Sequence, residues 1–184
     1  MCREARDGAC VGHAKEVTGR TKKSVRARET PAGYTVGGTN TDNCAASACN
    51  VQIGDSLYCS QCKAGFVPIN GKCVAFSDSS VTTTAGCTKS SGDPVDASST
   101  TCGKCTKTGY FLHKGGCYVQ TATPGSTICT AQTTAGVCQT CSEANGFFRN
   151  PGAAPTVDSC ISCGDATGVA IGNSNTKTYK GVDG

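Results

Sequence analysis

The sequence predicts a small disulfide-rich fold, built as tandem cysteine-rich modules of short β-hairpins and loops with little helix. Three observations predict it. Sixteen of the 184 residues are cysteine. Four Cys-x-x-Cys copies recur, at Cys59/Cys62, Cys102/Cys105, Cys138/Cys141 and Cys160/Cys163. Large apolar side chains are scarce, with no Trp, one Met, five Phe and five Tyr. Burying a large apolar side chain contributes roughly 1.5–3 kcal/mol, whereas ordering the backbone costs on the order of 1–2 kcal/mol per residue. Crosslinks must supply the difference, and a disulfide supplies about 2–4 kcal/mol.

Residues 1–40 carry eight Lys or Arg against four Asp or Glu, while residues 41–184 carry nine against nine. The basic cluster Arg20 to Arg28 has no interleaved aromatic residues, so residues 1–40 are expected to form a solvated, disordered arm without nucleic-acid binding. The Gly/Thr/Asn stretch from Gly33 to Asn43 reads as a linker. Residues 41–184 then form the module array, with modules at approximately 44–73, 87–117 and 129–163 and an incomplete last module running to 184.

The modules share one pattern. Cys59-Ser60-Gln61-Cys62 leads to Gly65-Phe66-Val67 and Asn70-Gly71-Lys72-Cys73. Cys102-Gly103-Lys104-Cys105 leads to Gly109-Tyr110-Phe111 and Lys114-Gly115-Gly116-Cys117. Cys138-Gln139-Thr140-Cys141 leads to Gly146-Phe147-Phe148. The glycine-aromatic triplet predicts a short strand, and the following glycines supply the positive φ that returns the chain to the closing cysteine. The aromatic ring is expected to cover the neighbouring disulfides, since so small a module has few other apolar groups. Ser77 to Ala85, Ser90 to Thr101 and Thr121 to Thr127 show no apolar period and read as loops.

The even cysteine count suits full pairing in an oxidising compartment. The structural disulfide cysteines are expected among Cys44, Cys49, Cys59, Cys62, Cys73, Cys87, Cys102, Cys105, Cys117, Cys129, Cys138, Cys141, Cys160 and Cys163. Their connectivity is open, because many pairings of so many cysteines are possible. Residues 1–40 hold no apolar run of signal-peptide length and no stretch is long enough to span a bilayer, so the chain is expected to be a piece of a longer secreted or membrane-anchored protein.

Zinc is the rival use of these thiols. Two Cys-x-x-Cys halves roughly fifteen to twenty residues apart are the mark of a four-thiolate site. Only Cys138, Cys141, Cys160 and Cys163, with eighteen residues between the halves, match that separation. Thioredoxin-type redox chemistry is not expected, because no helix N-terminus or βαβ context accompanies any pair. His13 lies in the basic arm and His113 is expected at the surface of a hairpin. With acidic residues scattered singly and no phosphate-binding loop, the sequence predicts no enzyme and no small-molecule substrate.

Several longer elements together resemble the variant-specific surface proteins of Giardia. They are Leu57 to Lys63 leading to Pro68-Ile69-Asn70-Gly71-Lys72-Cys73, the tetrapeptide Gly115-Gly116-Cys117-Tyr118, and Asn145-Gly146-Phe147-Phe148-Arg149-Asn150-Pro151 continuing to Ser159 through Asp165. The resemblance covers about residues 41–184. It implies a cysteine-rich ectodomain, in the style of growth-factor-receptor and EGF-like cysteine-rich repeats, displayed on the cell surface as a protease-resistant coat and exchanged for antigenic variants. It implies host antibodies, and host-cell surfaces, as partners, and a membrane anchor outside this chain. No catalytic residue or cofactor comes with it, although family members have been proposed to bind zinc through Cys-x-x-Cys. A zinc-binding interaction module and an adhesive or receptor-like ectodomain are the alternatives.

Overall fold

The computed structural model describes residues 43–162 throughout and, outside them, the backbone of four short strands. Two of these, β1 (Cys2–Arg6) and β2 (Ala9–His13), pair antiparallel with Arg6 opposite Ala9. This departs from the expectation of a disordered arm for that stretch. The sequence between the strands, Asp7-Gly8, is among the dipeptides that favour a two-residue hairpin connection. The basic cluster and the Gly33 to Asp42 part of the linker lie outside the described residues.

From Asn43 the chain is a run of hairpins. Strands β3 (Cys49–Ile53) and β4 (Ser56–Cys59) turn at Gly54, whose φ is +59°. Strands β5 (Phe66–Ile69) and β6 (Lys72–Ala75) are joined by Asn70-Gly71, with φ of +51° and +73°. Positive φ at both central residues is the primed turn whose twist matches a hairpin, and Asn-Gly favours it most. One π-helical turn, Ser80–Ala85, follows and buries Val81 and Ala85. The loop expected over Ser77 to Ala85 is therefore partly helical, because these two small apolar residues fill the space under β5 and the Cys87–Cys102 bridge.

The second module repeats the plan. Short strands β7 (Cys87–Thr88) and β8 (Lys104–Cys105) pair antiparallel. Strands β9 (Tyr110–His113) and β10 (Gly116–Val119) then form a hairpin turning at Lys114-Gly115, both with positive φ. Residue Ile69 of β5 pairs parallel with Cys117 of β10, so two consecutive module hairpins merge into one sheet of order β6-β5-β10-β9. The third module comprises a four-residue helical turn α1 (Gly125–Ile128), strands β11 (Cys129–Ala131) and β12 (Thr140–Cys141), and the pair β13 (Phe147–Arg149) and β14 (Cys160–Ser162). Strands β15 (Val169–Ala170) and β16 (Thr178–Tyr179) pair antiparallel beyond it.

The register of the closing cysteine repeats from module to module. Cys73 lies opposite Pro68, Cys117 opposite Leu112, and Cys160 opposite Arg149, each the third residue of the preceding strand. In the third module the turn is replaced by the longer excursion Asn150 to Ser159, and the buried Asn150 organises it. Its Nδ2 donates to the Asp158 carbonyl at 2.7 Å, its N–H donates to the Ser159 carbonyl at 2.8 Å, and its Oδ1 accepts from Gly152 N–H at 2.9 Å.

Beside a small cluster around Cys44, Cys59 and Cys62 that belongs to the first module alone, the larger apolar clusters cross the module borders. Val51, Ile53 and Tyr58 of the first pack in one cluster with Phe111 and Tyr118 of the second and Ile128 and Phe147 of the third. A single module has too little apolar surface to stabilise itself, and pooling side chains across module borders is the remaining route.

Candidate functional site: the disulfide ladder and its exposed loops

Six disulfides join described residues: Cys44–Cys59, Cys62–Cys73, Cys87–Cys102, Cys105–Cys117, Cys129–Cys138 and Cys141–Cys160. One rule generates them all. The first cysteine of a module pairs with the first of its Cys-x-x-Cys, and the second of the Cys-x-x-Cys pairs with the closing cysteine. The two members of a Cys-x-x-Cys never bond to each other.

Backbone pairing imposes this rule. Cys44, Cys87 and Cys129 lie opposite Cys62, Cys105 and Cys141 respectively, each across a short antiparallel contact. That register brings an incoming cysteine to its module's Cys-x-x-Cys, where it bonds to the other member. The bridges close separations of 9 to 19 residues. A loop of about 15 residues corresponds to about 3 kcal/mol in chain-entropy terms.

Each ladder is also an apolar unit. Phe66 packs on the cluster holding Cys44, Cys59 and Cys62, Tyr110 on the one holding Cys87, Cys102, Cys105 and Cys117, and Phe147 shares a cluster with Cys129, Cys138, Cys141 and Cys160. The glycine-aromatic element thus places a ring on the bridges of its own module. Within each module the two bridges are neighbours. Sulfur atoms of Cys44, Cys59 and Cys73, of Cys87, Cys102 and Cys117, and of Cys138, Cys141 and Cys160 fall within 4.8 Å of one another.

Such sulfur triplets would suit a metal only as thiolates, since a ligating cysteine must be deprotonated. The alternative zinc set fits poorly. Cys138 is bonded to Cys129 and Cys141 to Cys160, which argues against a metal there. The zinc-like separation of this set arises because Cys160 closes the third module, so the fourth Cys-x-x-Cys is not equivalent to the other three. Cys163 lies outside the described residues. Cys49, also expected among the bridging cysteines, stands beside the first ladder with its Sγ 3.4 Å from Cys44 Sγ.

His113 is buried, contrary to the surface position expected for it. The side of β9 that would face solvent in an isolated hairpin is covered by the next module. The His113 ring meets Phe147 edge-on at 5.9 Å and Tyr118 edge-on at 5.7 Å. Further bonds hold the second and third modules together. Leu112 N–H donates to the Gly136 carbonyl at 3.2 Å, Gly136 N–H donates to the Tyr110 carbonyl at 2.9 Å, and Lys114 N–H donates to Asp158 Oδ1 at 3.0 Å. No sequence signal announced Asp158, whose role depends on the path of the Asn150 to Ser159 excursion.

Hydroxyl-rich loops and the outer side of the Ser80–Ala85 turn supply much of the exposed surface. Thr82 to Thr84, Ser90 to Pro94, Thr106 to Thr108, Thr121 to Thr123, and Thr133 with Thr134 are exposed. These loops carry local order of their own. Asp96 Oδ2 accepts from Lys89 Nζ at 2.6 Å, and its Oδ1 accepts from the Ser98 N–H at 2.9 Å and the Ser98 hydroxyl at 2.7 Å. The Lys89 ammonium, followed by the Ser98 donors, holds the Asp96 carboxyl well below the usual carboxylate range. Asp78 is lowered in the same way by hydrogen bonds from Ser80.

The sequence matches the family described as Giardia variant-specific surface protein over residues 1–182. The chain belongs to this family. The match begins at residue 1, so it takes in the basic N-terminal region that the resemblance over residues 41–184 left out. Among the variant-specific surface proteins, the chain is 40% identical over 126 residues to "Variant-specific surface protein VSP4A1" of Giardia intestinalis, covering 67% of this chain and 18% of the relative. It is 37% identical over 145 residues to the "Major surface-labeled trophozoite antigen 417" of Giardia intestinalis, covering 77% of this chain and 18% of the relative. The chain therefore matches less than a fifth of the length of either curated relative. No solved structure matches this variant-specific surface protein chain. No helix among the described residues is long and apolar enough to cross a membrane.

Proposed function

We propose that the chain acts as a non-enzymatic segment of a surface antigen, contributing to a protease-resistant coat on the parasite and to its antigenic variation. The observation that supports this reading most is the division of labour in the fold. Buried disulfides and their aromatic covers hold the backbone, whereas the exposed positions are Ser/Thr-rich segments, of which Ser90 to Pro94, Thr106 to Thr108 and Thr133 with Thr134 lie inside bridge loops and the others between bridges. A protease needs a locally unfolded segment of several residues, and closely spaced bridges suppress such openings. Loop side chains contribute little to the packing, so they can change without unfolding the module. On this reading the loops carry antigenic identity, and host antibodies and host-cell surfaces meet them first.

Antibodies raised against the oxidised chain, and against peptides spanning Ser90 to Pro94 and Thr121 to Thr123, test the proposal on intact Giardia cells. Staining of intact cells that survives brief trypsin treatment is the expected result. Staining only after permeabilisation overturns the surface reading, and loss of staining after trypsin overturns the coat reading. In solution, Cys102→Ser or Cys105→Ser should make the array protease-sensitive, and unchanged digestion kinetics would count against the role given to the bridges.

A further inference from the structure

The first disulfide ladder differs from the other two in access. Eleven of the twelve bridged cysteines among the described residues are buried, and Cys73 alone is half-buried. Its Sγ is bonded to Cys62 and lies 3.5 Å from the Sγ of Cys59, which is bonded to Cys44. The sulfur atoms of Cys62, Cys73, Cys59 and Cys44 thus follow one another as bond, contact, bond. The backbone already holds the middle pair together, since Cys59 N–H donates to the Gly71 carbonyl, two residues before Cys73, at 3.0 Å.

We propose that Cys62–Cys73 is a thiol-exchange site, and that a small-molecule thiol entering there re-pairs the first module by way of Cys59. In the first step the external thiolate attacks Cys73 Sγ. A mixed disulfide forms, the bond to Cys62 breaks, and Cys62 leaves as a thiolate that takes a proton from water. In the second step another external thiolate attacks the outer sulfur of the mixed disulfide, releasing the small-molecule disulfide and the Cys73 thiolate. That thiolate attacks Cys59 Sγ across the 3.5 Å contact, and Cys44 leaves as the thiolate. Two external thiols are oxidised to one disulfide, and the protein gains two thiols, at Cys62 and Cys44, with a new Cys59–Cys73 bridge. These two thiols stay close, because Cys44 and Cys62 are backbone partners across the strand contact. The second and third modules also bring the first cysteine of the Cys-x-x-Cys near the closing cysteine, Cys102 with Cys117 and Cys138 with Cys160, but present no half-buried bridged cysteine to an attacking thiolate.

The test uses the unsubstituted full chain in its oxidised state. Thiols present at the outset are capped with a light alkylating reagent, and the chain is exposed to reduced glutathione under native conditions. After acid quenching, new thiols are capped with the heavy reagent and the chain is mapped by mass spectrometry. The expected first product carries heavy label at Cys62 and Cys44 together with a crosslinked Cys59–Cys73 peptide. Bridges of the second and third modules should open at least about tenfold more slowly, because their exposure requires local unfolding. Heavy label at Cys62 and Cys73 with Cys44–Cys59 intact overturns the re-pairing, and any other first labelled pair overturns the assignment of Cys73 as the point of entry.

Discussion

His113 of the second module and Phe147 of the third meet edge to face, with ring centroids 5.9 Å apart and planes inclined at 76°. The contact joins residues whose sequence neighbourhoods belong to different repeats, and both are nearly inaccessible, at 2% exposure each. It makes the border between the modules part of the core.

Replacing Phe147 with Ala should therefore loosen two modules at once. The ring covers the Cys129–Cys138 and Cys141–Cys160 bridges and fills the border, and removing a buried Phe costs about 3–5 kcal/mol. Denaturant unfolding of the oxidised protein should show that loss, and limited proteolysis should begin near both His113 and the Asn150 to Ser159 excursion. Cleavage confined to the third module would mean that the border contact contributes little.

Tyr118 is buried among Phe111, His113 and the cluster around Cys129, and its hydroxyl has no hydrogen-bond partner among the described residues. A buried hydroxyl without a partner costs stability, so Tyr118→Phe should be neutral or should stabilise by about 1 kcal/mol at neutral pH. Thermal unfolding at pH 7 measures it.

The same residue sets an alkaline limit. Burial, and secondarily the nearby Asp158 and Tyr58 charges, push the Tyr118 phenol far above its ordinary value. The folded state then keeps the proton while the unfolded state releases it, so stability is fully present below pH about 10 and falls as pH rises beyond it. Unfolding free energy measured across the range from about pH 8 to about pH 11 should decline, and Tyr118→Phe should decline less steeply. Parallel slopes for the two proteins would remove Tyr118 as the cause.

Gly71 should tolerate no side chain. Its φ is +73°, and a Cβ there would stand 2.5 Å from the Tyr58 Cβ. Gly71→Ala combines left-handed backbone strain with displacement of a buried Tyr, and should destabilise the protein by at least about 2 kcal/mol in denaturant titration. Gly54 has φ +59°, but a methyl group added there would meet nothing within 4 Å among the described residues, so Gly54→Ala should show only the backbone cost. Equal losses at the two sites would refute the packing argument.

Chelation offers a further check on the sulfur chemistry. Since Cys138, Cys141 and Cys160 are engaged in disulfides, excess EDTA should leave the circular dichroism and protease pattern of the oxidised chain unchanged, whereas a reductant should alter both. Unfolding on chelation alone would restore the thiolate–metal reading of these residues.

Much of the architecture was legible because it is local. The Asn70-Gly71 and Lys114-Gly115 turns follow from dipeptides whose backbone preferences act over two residues, and the glycine-aromatic strands follow directly from them. What escaped the sequence depends on distant partners. His113 sits on a strand whose outer side would be wet in an isolated hairpin, and only the arrival of Phe147 buries it. Val81 and Ala85 are too few and too small to announce a helical turn, yet the space beneath β5 selects one. Cys160 has the spacing of a new Cys-x-x-Cys, and the ten residues from Asn150 to Ser159 hide its equivalence to Cys73 and Cys117. The shared register opposite Pro68, Leu112 and Arg149 reveals that equivalence in three dimensions.

The pairing rule has a topological consequence. No described disulfide loop contains a cysteine of any other described bridge, so the crosslink diagram of the described residues has neither nested nor crossing arcs. As a chain grows from its N-terminus, each bridge can close before the next pair of cysteines exists. A whole module's bridges can then be gained, lost or exchanged by cutting between arcs, and every other described bridge keeps both its cysteines, 9 to 19 residues apart.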